Sequence, residues 1–202
     1  MVDAAVETGS CFRLQGLWRR HGRSVGGGPR AEVSRVVWAQ VGDWFADVRA
    51  PTSGNEGVSW LDEAQAFSGV VRCTPTIVTW CHDLDTVRNR KGRLDTAVVE
   101  GDSDTLIERG SEYEELWKRE DSGGPAAVLE RRTPDGVLRG RLVTVGGVYV
   151  AVWAGRRPGG ASVHVSGEGW EIETRIGSGA IPWAAVIETW SGRLPAGWER
   201  VA

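Results

Sequence analysis

Apolar and polar positions alternate over short stretches along most of the chain. These stretches are rich in Val, Ile, Thr and Trp, and clusters of Gly, Pro, Asp and Ser separate them. Such alternation is typical of half-buried strands, and the clusters are typical of turns. The pattern predicts strands at Phe12–His21, Ala31–Gln40, Trp44–Ala50, Gly69–Cys73, Thr76–Asp83, Asp95–Glu100, Thr105–Arg109, Tyr113–Arg119, Ala127–Arg132, Leu138–Val145, Val148–Ala154, Ala161–Ser166, Trp170–Ile176 and Ala184–Ser191, with a short tail near Trp198.

One helix is predicted within this series of strands. Ser59 and Asp62 form a capping-box-like start, which predicts a helix over Trp60–Phe67. The remaining pattern predicts an all-β fold, an antiparallel β-barrel with one short helix. We expect residues 1–202 to form a single barrel domain, because all-β barrels commonly reach this length as one unit. In this prediction residues 125–202 add strands that complete the barrel.

Tryptophan is unusually abundant. The chain holds 11 tryptophans but only 3 phenylalanines and 2 tyrosines. Trp is large, and its indole N–H needs a hydrogen-bond partner when it is buried. So many rings suit a barrel whose wide interior must be filled, or one whose walls stack against a flat ligand.

Charge and apolar content exclude two classes of partner. The net charge is −3, with acidic and basic residues mixed, so we expect no nucleic-acid binding. Since no run of 18 apolar residues occurs, we expect no membrane span. The N-terminal segment also lacks the basic and apolar regions of a secretory leader.

The cysteines predict a reducing compartment. Cys11, Cys73 and Cys81 are odd in number and match no zinc spacing. We therefore expect three free thiols and a cytoplasmic location.

A succession of short motifs resembles a known family. Gly16–Trp18 is similar to the G-x-W element that opens lipocalins and related calycins. The motifs W-x-Q, A-D-x-R, F-x-G, W-x-H, E-x-G and Y-x-E-x-W follow in this order, at Trp38–Gln40, Ala46–Arg49, Phe67–Gly69, Trp80–His82, Glu108–Gly110 and Tyr113–Trp117. The succession resembles an uncharacterised bacterial family of lipocalin-like (calycin-like) β-barrels over about residues 12–120. This resemblance implies a fold and not an activity.

Side-chain parity predicts which residues face the barrel interior. Successive strand residues point to opposite faces, so Trp38 shares a face with Gln40, and Trp80 shares a face with His82. An outward face would expose each Trp to water. We therefore expect both faces to line the interior.

These residues predict a cavity that binds a small molecule. Its walls would be Trp38, Trp80 and Trp117, and flat walls favour a partly aromatic or polycyclic, hydrophobic ligand. Asp47 and Arg49 would either anchor an anionic group or form a structural ion pair at one barrel end. The expected polar contacts are Gln40, Asp47, Arg49, His82, Glu108, Tyr113 and Glu115.

The alternative function is a cofactor-free isomerase or cyclase of bacterial secondary metabolism. In that case His82, Glu108 and Glu115 would be the catalytic residues and would move protons in the same cavity. Asp83 faces away from His82 unless a bulge intervenes, so the expected partner of His82 is Glu108 or Glu115.

No motif points to a cofactor or a metal. The chain lacks a phosphate-binding loop, a dinucleotide-binding fingerprint, a nucleophile elbow and a haem-attachment motif, so we expect neither. A scaffold protein without a ligand and a homodimer both stay open.

Overall fold

The computed structural model describes residues 11–51, 64–86, 92, 94–120, 123–154, 160–166, 170–176 and 198–202. A 3-10 helix at Cys11–Leu14 comes first. The strands that follow are β1 Gly16–Val25, β2 Ser34–Val41, β3 Trp44–Pro51, β4 Gln65–Cys73, β5 Ile77–Asp85, β6 Leu94–Gly101, β7 Thr105–Arg109, β8 Tyr113–Glu120, β9 Ala126–Arg132, β10 Leu138–Val145, β11 Val148–Trp153, β12 Gly160–Ser166, β13 Trp170–Ile176 and β14 Trp198–Arg200.

The first eight strands close into an antiparallel barrel. Each strand pairs with the next along the chain, and β8 pairs with β1 from Leu17–Glu120 to Val25–Tyr113. Closure leaves no strand edge exposed in this sheet, which is how all-β folds avoid unpaired backbone groups. The predicted antiparallel β-barrel is confirmed.

A second sheet follows the barrel in sequence. Its strand order is β13-β12-β11-β10-β9-β14, and all of its pairs are antiparallel. The prediction that residues 125–202 complete the barrel is therefore wrong. The physical reason is that β1 and β8 already satisfy each other's backbone groups, so the barrel has no edge to which a further strand could add.

An apolar core joins the second sheet to the outside of the barrel. The outward side chains of β2 and β3, such as Val37 and Val48, share this core with Val128, Val143 and Val150 of the second sheet. Both faces of β2 and β3 are consequently buried, since their other faces line the barrel interior.

The two ends of the barrel differ. At the helix end, where β1 begins and β8 finishes, the Cys11–Leu14 helix packs against the interior. We name the opposite end, where β1 finishes at Val25 and β8 begins at Tyr113, the cavity end. Arg119 fastens the helix end, since its guanidinium donates to the backbone oxygens of Arg13 and Gln15 and lies 4.4 Å from the ring centre of Trp18.

The predicted helix Trp60–Phe67 is wrong in the part that can be compared. Residues 60–63 lie outside the described residues, and Gln65–Phe67 begins β4. Ala66 joins the outer core and Phe67 the inner core, so these neighbours follow the parity of a strand. The predicted strand Ala184–Ser191 lies outside the described residues. In the described part of the chain, no helix is long and apolar enough to cross a membrane.

A disulfide joins Cys11 to Cys73, whose Cα atoms are 5.5 Å apart. It links the N-terminal helix to the end of β4. The prediction of three free thiols is therefore wrong. Sequence could not reveal the pair, because the two cysteines are 62 residues apart and only barrel closure brings them together. The cytoplasmic location stays a prediction.

Thiol labelling tests this pairing. Under denaturing, non-reducing conditions only Cys81 should react, because it is the free cysteine. After reduction, all three cysteines should react. Mass spectrometry counts the labels, and three labels without reductant would contradict the disulfide.

Candidate functional site

Tryptophans fill the middle of the barrel. The ring centre of Trp38 lies 6.1 Å from that of Trp18 in a stacked pair, and 5.8 and 5.6 Å from those of Trp80 and Trp117 in edge contacts. The space left beside Trp38, Trp80 and Trp117 is about 10 Å³. A single water molecule needs about that much, so these three side chains form a packed core and not the wall of a ligand cavity.

Glu115 is the centre of a buried charged layer toward the cavity end. It is 1% exposed, and its Oε1 accepts a hydrogen bond from Arg20 Nη1 at 2.7 Å. Arg23 Nε and Arg49 Nη1 lie 3.5 and 3.7 Å from the same oxygen. Arg20 also pairs with Glu32, Nε to Oε2 at 2.9 Å. Burial would lower the pKa of Arg20, but the hydrogen bond to Glu32 and the charge of Glu115 raise it.

Asp47 and Arg49 form the ion pair that their shared parity predicts. Arg49 Nε and Nη2 donate to the two carboxylate oxygens of Asp47 at 2.8 and 3.1 Å. Burial raises the pKa of Asp47, although the Arg49 charge opposes this rise. The guanidinium also lies 4.9 Å from the ring centre of Phe67. Two of the five N–H donors of Arg49 are therefore committed to Asp47.

Glu108 is held by two neutral donors. Tyr113 donates its hydroxyl to Oε1 at 2.7 Å, and Trp117 donates its indole N–H to Oε2 at 3.1 Å. Glu115 lies directly across from Glu108 in the β7–β8 register. Burial and the Glu115 charge raise the pKa of Glu108 to about 7. Glu108 thus changes its charge near neutral pH.

His82 has a different partner from the one expected. Its Nδ1 lies 3.0 Å from Asp85 Oδ2, so the prediction that Glu108 or Glu115 is the partner is wrong. The physical reason is a shift in register, in which Gly69 pairs with His82 but Ser68 pairs with Leu84. The extra residue, Asp83, returns Asp85 to the face of His82. The ring of Phe67 stacks on His82 with centres 4.4 Å apart.

A polar cavity of about 220 Å³ opens at the cavity end. Four of the predicted site residues line it, namely Arg49, His82, Tyr113 and Glu115. The sequence analysis missed the other lining residues, Arg23, Gln65, Phe67, Asp85 and Asp95.

Gln40 lies apart from this cavity. It is buried, and its Nε2 donates to the carbonyl of Gly42 in the β2–β3 turn. That turn is at the helix end, so Gln40 belongs with the packed half of the barrel.

Parity could have found Arg20, which was also not predicted, but it could not have found Asp95. Arg20 lies two positions after Trp18 on β1, so an inward Trp18 implies an inward Arg20. Asp95 is the register partner of Trp80, but this pairing depends on the turn between β5 and β6 and is invisible in the sequence.

Two residues that line the cavity each hold a buried polar atom without a partner among the described residues. No described residue forms a hydrogen bond with His82 Nε2 or with Glu115 Oε2. Since buried polar atoms are normally paired, these two atoms are the ones whose hydrogen bonds a bound molecule could complete. Among the described residues, no cluster of His, Cys, Asp and Glu could hold a metal ion.

No protein-family model and no curated protein matches the chain. A crystal structure of an uncharacterised protein from Saccharomyces cerevisiae is similar, with a TM-score of 0.65 and 15% identity over 92% of this chain and 97% of that one. A lipocalin-like protein from Bacteroides uniformis is similar with a TM-score of 0.41 and 12% identity, over 54% of this chain and 99% of that one. The yeast likeness shows the fold alone and covers both sheets.

Glu108 should make stability depend on pH. Its pKa is about 7 when folded and 4.5 in its ordinary state, so between these values the folded chain binds the extra proton. The free energy of unfolding should therefore fall as pH rises through this window, by at most about 3 kcal/mol for this group.

Denaturant unfolding at about pH 5 and about pH 8 measures this fall. The isosteric variant Glu108→Gln should reduce it, whereas Glu112→Gln, at an exposed position in the β7–β8 turn, should leave it unchanged. An equal fall in wild type and Glu108→Gln would contradict the assignment.

Proposed function

We propose that this barrel binds a small organic cation rich in N–H donors, and that the cation occupies the polar cavity of about 220 Å³. The observation that carries the proposal is the pair of buried atoms, His82 Nε2 and Glu115 Oε2, that belong to cavity-lining residues and have no partner among the described residues. A carboxylate oxygen can only accept a hydrogen bond. A ligand that satisfies Glu115 must therefore donate one.

His82 adds a second acceptor. The Asp85 carboxylate lies beside Nδ1 and can only accept a hydrogen bond, so we assign the proton of the neutral ring to Nδ1. This tautomer leaves a lone pair on Nε2. A ligand with two or more N–H groups would satisfy both atoms. An amidinium or a primary ammonium has this donor set.

The charge of the lining favours a cation as well. Three carboxylates line the cavity, Asp85, Asp95 and Glu115, against two guanidiniums, Arg23 and Arg49. Behind the wall, Asp47 pairs with Arg49, and Arg20 pairs with both Glu115 and Glu32. With these groups included, five carboxylates stand against three guanidiniums. The wall therefore carries excess negative charge in a partly desolvated site, where an opposite charge is stabilised more than in water.

The size of the cavity limits the ligand. Typical small-molecule pockets measure about 300–1,000 Å³, whereas this cavity measures about 220 Å³. A ligand with one ring fits such a volume better than a polycyclic one. Phe67, His82 and Tyr113 supply the aromatic part of the wall, so a partly aromatic ligand stays within the proposal.

A proton-transfer enzyme is the second candidate. It is favoured by the His82–Asp85 pair, in which a carboxylate orients the ring of a histidine that lines the cavity. This arrangement suits a general base. Glu108, with a pKa of about 7, accepts a hydrogen bond from Tyr113, which lines the cavity, and would be suited to exchange a proton with it. The reaction would be a cofactor-free isomerisation or cyclisation of the bound molecule.

Benzamidinium and benzoate form a matched pair of probes. They have similar size and shape but opposite charge, so the proposal expects benzamidinium to bind and raise the unfolding temperature, while benzoate does not. Thermal unfolding and calorimetric titration measure both. Stabilisation by benzoate alone, or by neither probe, would contradict a cation site.

Two variants locate the site. His82→Phe keeps a flat ring but removes the acceptor, and Glu115→Gln keeps Oε1 for Arg20 but replaces the second acceptor. Each should weaken benzamidinium binding about tenfold or more, as expected for a lost hydrogen bond to a charged group. The exposed control Glu112→Gln should bind like wild type. Equal affinities in all four proteins would place the ligand elsewhere.

A further inference from the structure

The bulge at Asp83 decides how the cavity is built. In a regular strand, His82 and Asp85 would face opposite sides, because they are three positions apart and successive residues alternate between the two faces. The register shift between Ser68 and Gly69 inserts Asp83 as one extra residue on β5. Asp85 consequently lies on the interior side, within 3.0 Å of His82.

Gly69 makes the bulge sterically feasible. A Cβ atom at this position would lie 1.7 Å from the backbone oxygen of Cys81, which is an impossible contact. Only glycine permits the two strands to approach this closely.

A residue of the second sheet holds the bulge from outside the barrel. Arg141 on β10 is 2% exposed, and its Nη2 lies 2.8 Å from Asp83 Oδ2. Its Nη1 lies 3.3 Å from Ser68 Oγ, on the strand opposite the bulge. Ser68 in turn donates to the carbonyl of Phe45 at 2.5 Å. One guanidinium thus contacts both strands at the register shift.

Glu130 fixes that guanidinium in place. This carboxylate is buried, and Arg141 donates to it through Nε at 3.0 Å and also through Nη2. Arg132 occupies the second carboxylate oxygen. Arg141 therefore has little freedom to move away from Asp83.

We propose that Arg141 is a positioning residue that sets the His82–Asp85 pair through Asp83. The second sheet would then determine the geometry of the cavity, although none of its described residues lines the cavity. If Asp83 is released, the bulge can be lost, and the residues of β5 after it then shift by one position, which turns Asp85 away from His82. The effect on the hydrogen bond is independent of any ligand, whereas the effect on affinity rests on the proposed function.

The histidine ring reports the effect directly. In ¹⁵N-histidine-labelled protein, the Nδ1–H of His82 should give a proton signal that exchanges slowly with water. Asp83→Asn removes the charge that Arg141 holds, so exchange should become about tenfold faster. Arg141→Lys keeps the charge but loses the two-nitrogen contact with Asp83 and Ser68, and it should give an intermediate rate.

Asp43→Asn is the matched control, because Asp43 is an exposed carboxylate in the β2–β3 turn. It should leave the His82 signal unchanged. Wild-type exchange rates in both Asp83→Asn and Arg141→Lys would overturn the proposal. If Asp83→Asn does not fold, Arg141→Lys alone decides, with a wild-type rate counting against it.

The same variants separate this inference from the proposed function. Benzamidinium affinity should fall about threefold to tenfold in Asp83→Asn. If benzamidinium does not bind the wild type but the His82 signal still changes, the cation site fails and the positioning role stands. If benzamidinium binds equally well in all variants and the signal is unchanged, the positioning role fails alone.

Discussion

The cavity half of this barrel depends on the burial of Glu115 beside Arg20. A lone carboxylate inside a protein would be strongly unfavourable, so its position requires a nearby guanidinium. Arg20 in turn needs Glu32, and Arg49 needs Asp47, so each buried charge requires the next. Replacing one member of such a pair by an apolar side chain would leave its partner as an uncompensated buried charge. These pairs keep the cavity end polar, while tryptophans fill the rest of the interior.

The two sheets have different structural roles. The barrel supplies every described residue that lines the cavity, whereas the second sheet buries the outer faces of β2 and β3 and carries Arg141. This arrangement gives residues 125–202 a role other than closing the barrel. It also places the Arg141–Asp83 ion pair, in which Arg141 is buried and Asp83 is partly exposed, on the outer side of the bulged strand that carries His82.

The sequence predicted those features that follow from local alternation. Parity correctly placed Trp80 and His82 in the interior, and it correctly paired Asp47 with Arg49. Parity failed for features that depend on contacts between residues distant in the sequence. The partner of His82 depends on a bulge that no period-two pattern contains, and β4 replaced a predicted helix because Phe67 packs in the barrel. The tryptophans were expected to line a cavity, but their mutual packing depends on the barrel's diameter, which alternation does not specify.

The central claim is that a cation occupies the space between Glu115 and His82. A crystal structure of the wild-type protein with benzamidinium tests it most directly. We expect ligand density in the cavity, with one amidinium nitrogen within hydrogen-bonding distance of Glu115 Oε2 and the other within hydrogen-bonding distance of His82 Nε2. Density at a surface site with an unoccupied cavity, or a pose with the amidinium directed toward Arg49, would contradict it.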